Sequence, residues 1–112
     1  MDSDSTISEF LAEPAGAQYS QEEAGRFNRL SRSAVRNNPH QALHFAREAL
    51  RFAEEAGDDL ERAISLCNIG ACESAFGNYD RALEALEESL RLCEEQRNES
   101  GTAAALYEIG TV

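Results

Sequence analysis

His40, His44 and Glu48 recur every four residues, the spacing at which a helix stacks side chains on one face. Two imidazoles and a carboxylate in that stripe have the donor types of a transition-metal site. The stripe carries no cysteine and is expected to face solvent, so it reads as a solvated helix face, and no metal or other cofactor is expected. Cys67, Cys72 and Cys93 form an odd set without C-x-x-C spacing, which argues against a disulfide framework and against structural zinc. They are expected to pack as small reduced hydrophobes. Carboxylates are abundant, but many stand near arginines at helical spacing, as Glu87 does to Arg91, which supports a helix rather than proton transfer. Phosphate loops rich in glycine, H-E-x-x-H pairs and nucleophile elbows are all missing from the sequence. No catalytic constellation is left, and an enzyme is not expected.

The elements that carry these residues repeat. Asn38, Ala42, Leu43, Glu48, Leu50, Arg51, Glu54 and Glu55 recur 40 residues later as Asn78, Ala82, Leu83, Glu88, Leu90, Arg91, Glu94 and Glu95. Ala63, Leu66, Ile69 and Gly70 recur as Ala103, Leu106, Ile109 and Gly110. Periods of this size mark stacked helical units, each burying its apolar face only against its neighbours. Ser20 with Glu23 forms a capping box and starts a first helix that runs to about Asn37, with Ala24, Phe27, Leu30, Ala34 and Val35 inward. Asn38 and Pro39 start a second, whose stripe is Ala42, Leu43, Ala46, Ala49, Leu50 and Ala53 and whose end is Gly57. A third spans about Asp59 to Phe76 over Ala63, Leu66, Ile69, Gly70 and Phe76. The fourth spans about Tyr79 to Gln96 over Ala82, Leu83, Leu86, Leu90 and Cys93, and Asn98 caps a fifth from about Glu99 onward. Turns this short force antiparallel neighbours. The expected fold is all-α: a right-handed α-solenoid of five helices in antiparallel pairs.

Residues 1–19, rich in Asp, Ser, Glu, Ala and Gly around Pro14 and Gly16, read as a disordered acidic tail, in which Ile7, Phe10 and Leu11 could form one apolar helical turn that docks. Three units follow: a degenerate repeat over 20–57, a second over 58–97, and the first helix of a truncated third over 98–112. Ala103, Leu106 and Ile109 repeat a core face without the partner helix that covers its counterpart, so the chain is expected to be an amino-terminal piece of a longer protein.

The formal charge is −11, with 21 acidic residues against 10 basic ones, all of them arginine. Affinity for nucleic acid and for anionic membranes rests on cations, so both partners are disfavoured. The acidity is that of solvated helix faces; adaptation to high salt is a second reading. The start of the sequence has neither a basic nor a long apolar stretch, and no run approaches a membrane span, so a cytoplasmic location is expected.

The middle repeat resembles the tetratricopeptide repeat family. Leu66 stands at the family's first large position, Ile69-Gly70 at its Leu-Gly pair, Gly77-Asn78-Tyr79 at its turn and Ala82 at its alanine. Glu73 and Leu86 replace the two aromatics, Ser89 an alanine and Glu94 the closing proline, and without that proline the second helix runs on to give the long period. This variant is similar to repeats that precede bacterial signalling and regulatory output domains. The resemblance implies a binding scaffold for a protein or peptide. Its groove would be lined by the first helix of each pair: Asn28 and Arg32, then Cys67, Asn68, Ala71 and Ser74, then Ala104 and Tyr107. Asn68 matches the central asparagine of a subclass that captures terminal carboxylates, but Asn28, Ala104 and Glu108 stand where that subclass needs cations. The alternative function is self-association, or a sensory input domain controlling an output domain. A weak homo-oligomer through the fifth helix would follow, and Phe45 and Phe52, off the main stripe of the second helix, are the residues expected to mark such a surface.

Overall fold

The computed structural model describes the backbone of residues 2–112 and the side chains of residues 16–112. Five α-helices follow one another: α1 Asp2–Ala34, α2 Pro39–Ala56, α3 Asp59–Ala75, α4 Tyr79–Glu95 and α5 Glu99–Thr111. No strand occurs among the described residues, and none of the helices is long and apolar enough to cross a membrane.

Local chemistry sets most of the boundaries. The side chains of Asn38, Asp58 and Asn98 accept hydrogen bonds from the amides of Gln41, Glu61 and Gly101, which satisfies a donor at the start of α2, α3 and α5. Gly57 closes α2 in the left-handed region, with φ 64°. One repeat later that place belongs to Arg97, which holds φ 55° and is the one non-glycine residue with positive φ among the described residues. Asn78 departs from its repeat mate Asn38. Its side chain makes no cap bond and instead donates to the buried Glu73 carboxylate at 2.8 Å.

The helix at the amino terminus differs from the sequence reading. Helical backbone extends to Asp2, well before Ser20. Ser20 does not cap: it is buried inside α1, and its hydroxyl reaches the Glu55 carboxylate of α2 at 3.3 Å. Tyr19 meets Phe52 edge-on with ring centroids 6.1 Å apart, and Gln21 donates to Asp58 at 2.8 Å. A serine followed three residues later by a glutamate is only a local signal, and tertiary partners on α2 decide otherwise here. The docking turn proposed at Ile7, Phe10 and Leu11 lies outside the described side chains.

The core is built from small residues. Ala42, Ala46, Ala49 and Ala53 are fully buried along α2, as are Ala24, Cys72, Ala82 and Ala105 from the other helices. Leu86 is the largest fully buried side chain, and it sits in the space Gly70 leaves open. A Cβ at Gly70 would lie 2.5 Å from Leu86 Cγ, so α3 and α4 cross where only glycine fits. Leu30, expected inward, is 36% exposed, and Ser31 takes the core position. The Ser31 hydroxyl donates to the Ala42 carbonyl at 2.8 Å, and Ser89 donates to Ala63 in the same manner at 2.7 Å. Each hydroxyl finds a backbone acceptor on the partner helix, so these pairs approach closely with their polar atoms satisfied.

Each helix packs on the next, α1 also touches α3, and α3 touches α5, whereas α2 and α4 do not meet. The odd-numbered helices thus form the tighter layer and the even-numbered ones splay apart behind them. The array curves toward the odd layer, which becomes its concave side.

Candidate functional site

The concave side holds two adjoining cavities. The first, of about 430 Å³, is lined by Leu60, Ile64 and Cys67 of α3, by Ala104 of α5, and by Ser89 and Cys93 of α4 at its floor. The second, of about 640 Å³, is lined by Ser31, Val35 and Arg36 of the α1 end and by Tyr107 and Thr111 of α5. Arg32, Asn68, Ala71 and Glu108 line both, so the two form one groove running along α3. Its Leu60 end is apolar and its Arg36 end is polar.

Six of the eight residues named from the sequence line one of the two cavities. Arg32, Cys67, Asn68, Ala71 and Ala104 line the first cavity, and Tyr107, 70% exposed, lines the second. Ser74 lines neither. Asn28 is a correction: it is buried, and its amide is shared among the Glu61 carbonyl, the Glu61 carboxylate at 2.9 Å and the Ser65 hydroxyl at 3.0 Å. Its own side-chain oxygen accepts from Asn68 at 3.0 Å. Asn28 and Asn68 are 40 residues apart, so the repeat places one asparagine on another and joins α1 to α3 by their amides. That spacing was the signal in the sequence that could have revealed the pairing. It also commits the Asn68 amide group to protein, leaving it unavailable to grip a terminal carboxylate.

Burial pushes the Cys67 thiol up to about 11, with the charges of Glu108 and Cys93 adding to the effect. Burial does the same to Cys72, also to about 11, and raises Cys93. None of the three has the lowered value of a reactive thiolate. Cys72 and Cys93 pack in the core as expected, while Cys67 is half-buried and forms part of the groove wall. His40 lies against Phe76 with ring centroids 4.5 Å apart, bridging α2 to the end of α3. His44 is exposed beside Phe45. Among the described residues, no group of three or more potential ligands gathers around a metal-sized site.

Phe45 and Phe52 do not mark a free surface. Phe27 of α1 stacks on Phe52 at 5.7 Å and tilts against Phe45 at 5.9 Å, so the three rings seal the contact between α1 and α2.

The sequence model of the tetratricopeptide repeat matches residues 34–95 and, in a second placement, residues 61–112. With the paired helices and the glycine crossing at Gly70, this decides the family. The chain belongs to the tetratricopeptide repeat family. Neither the curated proteins nor the solved structures contain a match to it. Tetratricopeptide repeats in general mediate protein–protein interaction and are non-catalytic scaffolds, and the array described here has that architecture. The two placements of the match together cover α2 to α5, and α1 supplies the first helix of the pair that α2 completes.

Proposed function

We propose that this tetratricopeptide array binds an extended peptide or protein segment in the concave groove between α1, α3 and α5, as the interaction module of a larger regulatory protein. The observation that carries this reading is the continuity of the two cavities through Arg32, Asn68, Ala71 and Glu108. One wall is apolar enough to desolvate a side chain, and the other presents charge and hydroxyls that fix orientation. A cytoplasmic setting suits three free cysteines, which stay reduced there. The balance of −11 favours a protein partner over nucleic acid.

Peptides selected from a random library on the wild-type chain test this. Ala71→Arg and Ala104→Arg put bulk into the groove and should abolish binding of the selected peptides, while an arginine at the exposed Glu84 of α4 should not. Selected peptides that lose binding only to the Glu84 variant would place the site on the convex side and end the proposal.

A second reading has its own support. On α5, Leu106 is 52% exposed and Ala103 is exposed, although their repeat mates Leu66 and Ala63 pack against α4. Self-association through that face is the alternative, and Leu106→Asp should then shift a sedimentation profile toward monomer.

A further inference from the structure

The groove's polar end carries an unusual charge for so acidic a chain. Arg26, Arg47, Arg51, Arg62 and Arg91 all form ion pairs with glutamates or aspartates. Arg29, Arg32, Arg36, Arg81 and Arg97 form none among the described residues, and of these Arg32 and Arg36 line the same cavity of about 640 Å³. Arg32 lies on the last turn of α1 and Arg36 in the turn that follows it, and the chain there brings both to one cavity. Glu108 of α5 is the single carboxylate lining that cavity among the described residues. Two guanidinium groups against one carboxylate leave a local positive excess inside a molecule of charge −11. Guanidinium groups recognise carboxylates through paired, charge-assisted hydrogen bonds.

We infer that the Arg32–Arg36 end of the groove holds an acidic side chain of the bound peptide, while Leu60, Ile64 and Cys67 hold an aliphatic one. This rests on the groove reading above and gives it a ligand class. The spacing follows from geometry. Ile64 and Ala71 are seven residues apart on α3, about 10 Å of helix rise. An extended chain covers that in about three residues at roughly 3.3 Å each. The occupant is thus a segment in which an aliphatic residue and an aspartate or glutamate stand three apart. Glu108 opposes the acidic side chain, which makes the site tunable in both directions.

The test uses peptides blocked at both ends, with the core Leu-Ser-Ser-Asp, its Leu-Ser-Ser-Asn counterpart, and both in reversed order. Binding is followed by backbone amide shifts over residues 64–71 and at Tyr107. The aspartate peptide in one of the two orders should bind about fivefold tighter than its asparagine counterpart, a preference of the size expected for a partly solvated ion pair. Replacing both arginines, Arg32→Gln and Arg36→Gln, should erase that preference. Glu108→Gln should enlarge it, which loss of folding cannot imitate. Equal binding of the aspartate and asparagine peptides, unmoved by these variants, overturns the inference while the groove reading stands. If neither series moves the groove amides while library-selected peptides do, the inference falls and the groove reading stands; if the selected peptides leave them unmoved as well, both fall. A core of Leu-Ser-Ser-Ser with a free terminal carboxylate that binds tighter than the aspartate peptide overturns the side-chain assignment in favour of a chain terminus.

Discussion

At the scale of the residue, Gly70 and the three cysteines make the sharpest claims. Because the Gly70 Cβ position is 2.5 Å from Leu86 Cγ, even alanine overpacks the crossing of α3 and α4. Gly70→Ala should cost ~1–3 kcal/mol and Gly70→Leu more, measured by urea unfolding. Leu86→Ala makes room, so the two changes together should cost less than their sum. Strict additivity would mean that Gly70 and Leu86 are not in contact. Gly110, its repeat mate, has nothing within 4 Å, and Gly110→Ala should be neutral or stabilising by up to about 1 kcal/mol. The thiols predict an alkaline limit. Cys67 and Cys72 are raised from an ordinary 9.0 to about 11, chiefly by burial, and Cys93 is raised for the same reason. The folded chain keeps protons that the unfolded chain releases, so this stability is complete below about pH 9 and is lost as pH rises through about 11. Unfolding midpoints across that range should fall, and thiolate absorbance should appear together with unfolding. Thiolate absorbance growing near pH 9 in the still-folded chain would show that the thiols are not buried.

At the scale of the element, the repeats carry their own ion-pair ladders and one strained end. Arg51 pairs with Glu48 and Glu55, and 40 residues on Arg91 pairs with Glu88 and Glu95. These are exposed contacts between near neighbours on one helix, which solvent screens, so they support the helices only weakly. The hydrogen bonds from Arg91 hold the Glu88 carboxyl below its usual range. Between α4 and α5 the chain turns through Arg97 at φ 55°, where the equivalent turn uses Gly57. A left-handed non-glycine residue costs roughly 1–2 kcal/mol, partly offset because glycine gains freedom in the unfolded chain. Arg97→Gly should therefore stabilise by about 0.5–1 kcal/mol and raise the melting temperature by several degrees. A lower melting temperature would mean that the Arg97 side chain contributes more than its backbone costs.

At the scale of the whole molecule, stability in a stacked array is close to a sum of repeat and interface terms. The outer face of α5 has no counterpart of α4 over it: Ala103 and Leu106 are exposed, and Gly110 faces open space. Appending a copy of residues 73–97 after Val112 continues the 40-residue spacing and sets a second α4 on that face. It should raise the melting temperature more than any point substitution above and reduce concentration-dependent line broadening. It should also turn Gly110→Ala from harmless to destabilising, since the copied leucine would then fill the glycine's space. No gain in melting temperature would mean that α5 is a finished end of the array. Charge acts at the same scale. With −11 on 112 residues, raising salt from about 0.1 M to about 1 M shortens the screening length from roughly 10 Å to 3 Å and should stabilise the fold. A flat or falling melting temperature would remove salt adaptation as the reason for the acidity.

The helices of the repeats were legible in the sequence because their determinants are local: caps at Asn38, Asp58 and Asn98, the turn glycine at Gly57, and alanine stripes at helical spacing. The self-similarity also determined the pairing order and the glycine at the crossing, since a repeated unit must meet its neighbours in a repeated way. The groove was legible in outline, because most of its lining residues follow from the repeat positions. Tertiary contact alone decided the rest. Ser20 looks like a cap and became a buried partner of Glu55, Leu30 looks like core and yielded its place to Ser31, and Asn28 looks like a groove donor and is locked onto Glu61, Ser65 and Asn68. In each case a small polar side chain is buried because a specific acceptor or donor on another helix meets it. Such a partner, 11 to 40 residues away, leaves little trace in local composition, and of these contacts the Asn28–Asn68 pair alone is written in the 40-residue repeat.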